Sequence, residues 1–258
     1  MSGLAKFVRS IRPAPLGSAV ANILGVSRRR ILQTPEGRFL VSPVSHLGWQ
    51  LASGPYEPST TAVLKNYLKP GDVFIDLGAN EGYFSVIGSA LVGNAGKVVA
   101  VEPQSRLMNV IHANLALNGC LNVNVVQAVV SAKTETVNLH LAPGLSTGGS
   151  SLSRNTRYRL PTEPVQSFSL SEFLEKTGTS HCDLMKVDIE GAEYDVFMHA
   201  EPVLKAGIIR NIALEIHDSI LERRGQSGAR LHEWIVGCGY KMNGDLGNRV
   251  YTFVGGSS

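Results

Sequence analysis

A doubly wound α/β domain is the fold this sequence predicts, and three observations predict it. Val73, Phe74 and Ile75 form a short β-prone apolar run after the turn signal Lys69-Pro70-Gly71, as a buried parallel strand does. A loop with Gly78, Asn80 and Gly82 follows, and the small and apolar stretch Tyr83 to Val92 then reads as a helix. Strand, glycine loop and helix are the first half of a nucleotide-binding βαβ unit. Further strand candidates alternate with helical stretches to the end of the chain, with no internal repeat, as in a mostly parallel sheet covered on both faces.

Each element has a local reason. Leu4, Phe7, Val8 and Ile11 fall at i, i+3, i+4 and i+7 beside Lys6, Arg9 and Arg12, which predicts an amphipathic helix lying on the domain or on a second copy of the chain in a homodimer. A membrane-surface helix or an Arg-rich transit peptide would share that pattern. Residues 1–30 are therefore set apart as a basic helical extension, and 31–258 as the α/β domain. Ile31 to Val41 reads as a hairpin turned by Pro35-Glu36-Gly37, and residues 59–68 as a helix stopped by Pro70 and Gly71. After the central strand and helix come a strand from Lys97 to Val101, a helix from Pro103 to Asn118 ended by Gly119, and a strand from Val123 to Val130. Val137 to Leu141 alternates as an edge strand or hairpin arm. Gly144 to Ser153 is Gly- and Ser-rich, a connector or a lid. Ser171 is expected to cap a helix over 169–176. Asp183 to Ile189 and Asn211 to His217 are strands, Gly191 to Ala200 and Leu231 to Val236 helices, and Tyr240 to Val254 a closing hairpin across Asn243-Gly244-Asp245.

The glycine loop limits the ligand. A dinucleotide loop needs G-x-G-x-x-G, which brings a diphosphate to a helix N-terminus. Here the spacing is G-x-N-x-G, with Asp76 two residues before Gly78. A carboxylate there repels a diphosphate but suits an ammonium and a sulfonium, and S-adenosylmethionine carries both. Glu102 ends the next apolar run, twenty residues after Gly82, the spacing at which an acid takes ribose hydroxyls.

Charge excludes other classes. The net charge is +3, yet six of the 24 basic residues precede the first acid, Glu36, leaving 18 basic against 21 acidic residues. A slightly acidic body does not predict a nucleic-acid groove. Residues 107–132 lack charged side chains, but five asparagines and a histidine interrupt them, so no transmembrane segment is expected. Three scattered cysteines, Cys120, Cys182 and Cys238, fit a reducing compartment, the cytoplasm.

Several blocks in order resemble the FkbM-type S-adenosylmethionine-dependent methyltransferases. They are Tyr56-Glu57-Pro58, Asp76 to Gly82, Val101-Glu102-Pro103, Asn114 to Gly119, Gly148 to Leu152, Lys186 to Glu193, and Glu215-Ile216-His217. The resemblance implies a Rossmann-like methyltransferase fold with a seven-stranded sheet closed by an antiparallel hairpin. It also implies methyl transfer to the hydroxyl of a small metabolite such as a sugar or polyketide.

Strand ends deliver Asp76, Glu102, Asp188, Glu215 and His217 to the side where ligands of open α/β sheets bind. Asp76 and the backbone of Gly78, Asn80 and Gly82 are expected to hold the methionine part of the cofactor, and Glu102 the ribose. Adenine is expected near Gln127 and Ala128. His217, with an ordinary pKa near neutrality, is the first candidate for the base that takes the acceptor's proton. Asp188 is the second candidate, or an orienting group; a strand-end acid paired with Lys186 is its structural alternative. Tyr56, Glu57, Glu190 and Glu215 are expected on the acceptor side, and Glu193 as a helix-start acid. Asp188, Glu190, Glu215 and Asp218 offer oxygens of the kind magnesium takes, but no spacing demands a metal and none is expected. A nicotinamide oxidoreductase lacks its glycine fingerprint here, and a base methyltransferase lacks its Pro-Pro-aromatic element. N-methylation and a non-catalytic cofactor-binding protein stay open.

Overall fold

The computed structural model describes residues 3–144, 150, 161–243 and 249–255. The chain begins with α1 (Gly3–Ser10), α2 (Ala14–Ile23), the hairpin β1 (Arg30–Thr34) and β2 (Gly37–Val41), α3 (His46–Leu51) and α4 (Pro58–Tyr67). The central unit is β3 (Val73–Leu77), α5 (Tyr83–Val92), β4 (Lys97–Val101), α6 (Ser105–Leu117) and β5 (Val123–Val126). Next come β6 (Val129–Ser131), β7 (Glu135–His140), β8 (Thr162–Ser169) and α7 (Leu170–Lys176). The chain then returns through β9 (Leu184–Val187), α8 (Glu193–Met198), α9 (Glu201–Lys205), β10 (Asn211–Leu214), α10 (Asp218–Arg223) and α11 (Gly228–Gly237). It closes with β11 (Tyr240–Asn243) and β12 (Arg249–Phe253).

Seven strands form one sheet in the order β11-β12-β10-β9-β3-β4-β5. β3 pairs in parallel with β4 and β9, β4 with β5, and β9 with β10; β12 runs antiparallel between β10 and β11. The alternation of side chains along β3 divides the core between two faces. Ile75 and Leu77 join Val99, Val101, Met185 and Val187 in the cluster that includes Phe173 of α7, Phe197 of α8 and Ile235 of α11. Phe74 joins Val98 and Leu184 under residues of α4, α5 and α6. Burial of each such side chain stabilises the fold by about 1.5–3 kcal/mol. Helix α5 sits close on the sheet because Gly88 faces the Phe74 ring, where a Cβ would stand 2.3 Å from a ring carbon.

Several boundaries differ from the sequence expectation. The strand expected over Val123 to Val130 is two strands: β5 stays in the main sheet, and β6 belongs to a second sheet of order β6-β8-β7. Apolar content continues across the break, so hydrophobicity alone could not mark it. β7 is the expected arm at 137–141, paired antiparallel to β8, which the sequence reading did not anticipate. Ser169, not Ser171, caps α7, its hydroxyl accepting from Glu172 N. On α1 the buried side chains are Ala5 and Val8, which meet Ala21 and Val44, while Leu4 and Phe7 are exposed. The segment 145–149 and 151–153 within the expected connector, and residues 244 and 245 of the expected turn, lie outside the described residues. No helix among the described residues is long and apolar enough to cross a membrane.

Candidate active site

The cavity lies where the winding of the chain reverses: β4 flanks β3 on one side and β9 on the other. Ligands of open α/β sheets enter at such a point. Its volume is about 330 Å³, within the roughly 300–1,000 Å³ of small-molecule sites. Its walls are the β3–α5 turn (Gly78 to Glu81), Glu102 to Gln104 after β4, Ala128 to Val130, Asp188 to Glu190 after β9, and Glu215 and His217 after β10. Tyr56 and Glu57, ahead of α4, and Lys186 of β9 stand on the wall as well.

The turn after β3 depends on backbone geometry. Gly78 has φ +83°, and a Cβ there would stand 1.8 Å from the Asp188 carbonyl oxygen; only glycine brings the ends of β3 and β9 so close. Glu57, Asn80 and Glu190 are the non-glycine residues at positive φ among the described residues, and all three line this cavity. Such conformations cost on the order of 1–3 kcal/mol each and gather at functional sites.

Glu102 is almost completely buried and fastens the turn to the end of β4. Its Oε2 accepts from Asn80 N at 2.9 Å, and its Oε1 accepts from Gln104 N at 3.1 Å and from the Gln104 amide at 2.8 Å. Burial pushes its carboxyl up to about 7 against the opposing pull of these hydrogen bonds. Gln104 in turn accepts from Arg106 at 3.0 Å and from the Ser150 hydroxyl at 2.9 Å.

Three expected cofactor residues stand elsewhere. Asp76 does not line the cavity. Period two turns its side chain under α5, fully buried, where it accepts from the Ser85 hydroxyl at 2.6 Å. Its cross-strand partner in register is Lys186, whose Nζ lies 3.4 Å from Asp76 Oδ1. The carboxylate expected to face the cofactor's ammonium is thus engaged within the fold. Gly82, also absent from the wall, is the left-handed N-cap of α5, packed against Ile111. Gln127 is exposed and donates to the Pro103 carbonyl at 3.4 Å, so Ala128 alone of that pair is on the wall.

The opposite end of the cavity is rich in ionisable groups. Lys186 is a buried cation within the apolar strand β9; its Nζ lies 3.7 Å from Asp188 Oδ2, donates to the Gly78 carbonyl at 3.3 Å and sits 5.3 Å over the Phe84 ring. Burial alone would lower its pKa, but Asp76, Asp188 and Glu57 outweigh burial and raise it. His217 Nδ1 pairs with Glu193 Oε1 at 2.7 Å, while its Nε2 lies 3.6 Å from Asp188 Oδ1 and 3.8 Å from Glu190 Oε2. Burial would lower the His217 pKa as well, yet Glu193, Glu190 and Asp188 together push it up to about 9. Burial pushes Glu190 up to about 7 and raises Glu215, with Asp188 adding to both. Burial and Glu57 raise the Tyr56 hydroxyl.

The sequence-expected residues Tyr56, Glu57, Gly78, Asn80, Glu102, Ala128, Asp188, Glu190, Glu215 and His217 therefore share one cavity. The pairing of Asp188 with Lys186, weighed as its structural alternative, is present alongside its place on the wall. The carboxylates around His217 favour its protonated ring, which works against the part of free base expected for it. Glu193 does more than start α8, since it is fully buried and orients His217. Lys186 and Gln104 were missed as site residues. A lysine inside the apolar run Leu184 to Val187 was the signal for the first.

A mostly parallel sheet of seven strands with one antiparallel insertion, a glycine turn after its central strand and an acid after the next, defines the class as an α/β methyltransferase domain. The chain belongs to the FkbM methyltransferase family: the family model described as "Methyltransferase FkbM domain" matches residues 76–242. S-adenosylmethionine is its cofactor and methyl transfer its activity. The chain is similar to the methyltransferase sdnD of Sordaria araneosa, 30% identical over 176 residues that cover 57% of this chain and 67% of that protein. Among solved structures it is similar to the methyltransferase FkbM of Methylobacillus flagellatus, with a TM-score of 0.47, 11% identity, and 97% and 58% of the two chains covered. It is also similar to Aeropyrum pernix fibrillarin with natively bound S-adenosylmethionine, with a TM-score of 0.41, 15% identity, and 88% and 82% covered.

Proposed function

We propose that the chain methylates a hydroxyl oxygen on a small metabolite. The observation that carries this is one cavity with two chemically different ends. Glu102, after β4, stands at one, Asp188, Glu190, Glu215 and His217, after β9 and β10, stand at the other, and the turn Gly78–Glu81 lies between them. In this reading Glu102 takes the ribose hydroxyls, the backbone of Gly78 to Asn80 lies along the methionine part, and Ala128 meets the adenine. Asp76 acts at one remove, by holding Lys186 beside Asp188.

The reaction needs the acceptor oxygen, the methyl carbon and the sulfur in line, so alignment does much of the work. The oxygen forms its bond to the methyl carbon as the carbon–sulfur bond breaks, leaving S-adenosylhomocysteine. The acceptor's proton goes to a carboxylate of the cluster, Asp188 or Glu190, while protonated His217 orients both. The acids at this end disfavour a phosphate backbone, which supports a small acceptor over a nucleic acid. The free thiols Cys120, Cys182 and Cys238 support a cytoplasmic setting.

The test is incubation of the full chain with methyl-labelled S-adenosylmethionine and a panel of hydroxylated and aminated metabolites. Methyl ethers are expected among the products. Methylamines alone, or no labelled product with any hydroxyl acceptor, would overturn the assignment.

A further inference from the structure

We infer that Asp188, Glu190 and His217 form a binding site for one divalent cation, of the manganese or zinc type, at the acceptor end of the cavity. The inference rests on the methyltransferase reading of that cavity and goes beyond it. Among the described residues these three can each offer a ligand atom with all of them within 4.8 Å of one another.

Three features set this group apart from an ordinary acidic surface. The first is the imidazole. His217 Nε2 faces Asp188 Oδ1 at 3.6 Å and Glu190 Oε2 at 3.8 Å, beyond hydrogen-bond range but close to the roughly 3.0–3.5 Å that separates donors sharing an ion at about 2.1 Å. Both carboxylates thus face the same ring nitrogen, and the three ligand atoms lie within 4.8 Å of one another, so drawing the carboxylates inward brings them to one centre.

The second is the carboxylate behind the ring. Glu193 is fully buried and holds Nδ1 at 2.7 Å, so Nε2 is the ring nitrogen left to face the carboxylates. A carboxylate behind a histidine is the arrangement that fixes the tautomer of a metal ligand. Glu193 Oε1 also accepts from Gly191 N at 3.1 Å, which ties the ring to the turn that carries Glu190.

The third is how Asp188 divides its two oxygens. Oδ2 faces Lys186 at 3.7 Å and Oδ1 faces His217. The lysine thus leaves one oxygen for the cluster. One imidazole and two carboxylates suit manganese or zinc better than magnesium, whose sites are built from oxygen. An ion bound there would displace the Nε2 proton of His217, since a ligating imidazole is neutral; it would sit on the acceptor side of the cavity and would favour ionisation of an acceptor hydroxyl.

Manganese(II) is the probe. Full-length protein, stripped with a chelator and saturated with S-adenosylhomocysteine, is titrated with manganese(II) while the signal of the free ion is followed by electron paramagnetic resonance. One ion per chain is expected. Asp188→Asn and His217→Ala should each weaken binding at least tenfold, and Glu193→Gln by about 10–100-fold, the usual effect of losing the group that orients a ligand. Calorimetric binding of S-adenosylhomocysteine by each variant reports that it has folded, and Glu190→Gln serves where another does not fold. No stoichiometric manganese binding, or binding that these substitutions leave unchanged, overturns the site. The methyltransferase reading would survive that outcome, because it stands on cofactor binding and on the labelled product.

Discussion

Asp76 and Lys186 face each other across neighbouring strands, the carboxylate fully buried and the ammonium nearly so. Removing one member of such a pair leaves an uncompensated charge in the interior. Asp76→Ala is therefore expected to lower the unfolding free energy by about 3–5 kcal/mol, read from urea denaturation; a variant as stable as the parent would remove this account. Glu102 carries a prediction about pH. Its folded pKa is raised by burial from 4.5 to about 7, so the native state holds this proton more tightly than the unfolded chain does. The stability it contributes is complete below pH 4.5 and is lost as pH rises to 7, a change of about 3 kcal/mol. Glu102→Gln should flatten that part of the stability curve. If the ribose donates to this carboxylate, affinity for S-adenosylhomocysteine should rise with pH over the same window and lose that rise in Glu102→Gln. Glu102 could be read from its distance to the glycine turn. The inward aim of Asp76 could not: an acid at a strand end reads the same whether it points to ligand or to helix, and only the burial of Lys186 beside it decides.

At the level of elements, Asn114 of α6 and Asn118, which caps its C-terminus, hold the edge hairpin in place. Asn114, fully buried, accepts from Leu40 N at 2.6 Å and donates to the Glu81 carbonyl at 2.7 Å. One turn later Asn118 accepts from Arg38 N at 2.9 Å and returns a bond to the Arg38 carbonyl at 2.8 Å. The helix thus supplies β2 with partners a neighbouring strand would give, and links it to the turn after β3 that lines the cavity. Asn114→Ala should cost about 1–3 kcal/mol by leaving buried backbone groups unpaired, with faster hydrogen exchange at Leu40 as its local sign. Unchanged exchange there would show that the helix does not secure the strand. The α6 helix itself was evident in the sequence from its apolar residues and Gly119, whereas the use of its asparagines depends on an edge brought in from far along the chain. The break between β5 and β6 was hidden for a similar reason, since residues on both sides of it are apolar and their assignment to two sheets is a matter of packing.

For the molecule as a whole, the sheet order follows from features that alternate visibly along the chain. The reversal of winding beside β3 gathers strand ends as far apart in the chain as Leu77 and Leu214. Amides of β3, β9 and β10, paired on both sides, should exchange only with global unfolding, while those of β1 and β2 should open at lower cost; uniform protection across both sheets would contradict this. The sequence separated residues 1–30 by their charge, but charge does not reveal packing. Ala5, Val8 and Ala21 share a core with Val44, with Trp49 packed against it, and the Arg9 guanidinium lies 5.0 Å over the Trp49 ring. Arg29 reaches the buried Glu81 at 2.5 Å. A clone trimmed to begin at position 31 would still encode the matched family region, yet its product would harbour an orphan anion inside the turn after β3 and a bared indole on its flank. Trimming for crystals or for expression is better begun upstream of Arg29, or accompanied by Glu81→Gln.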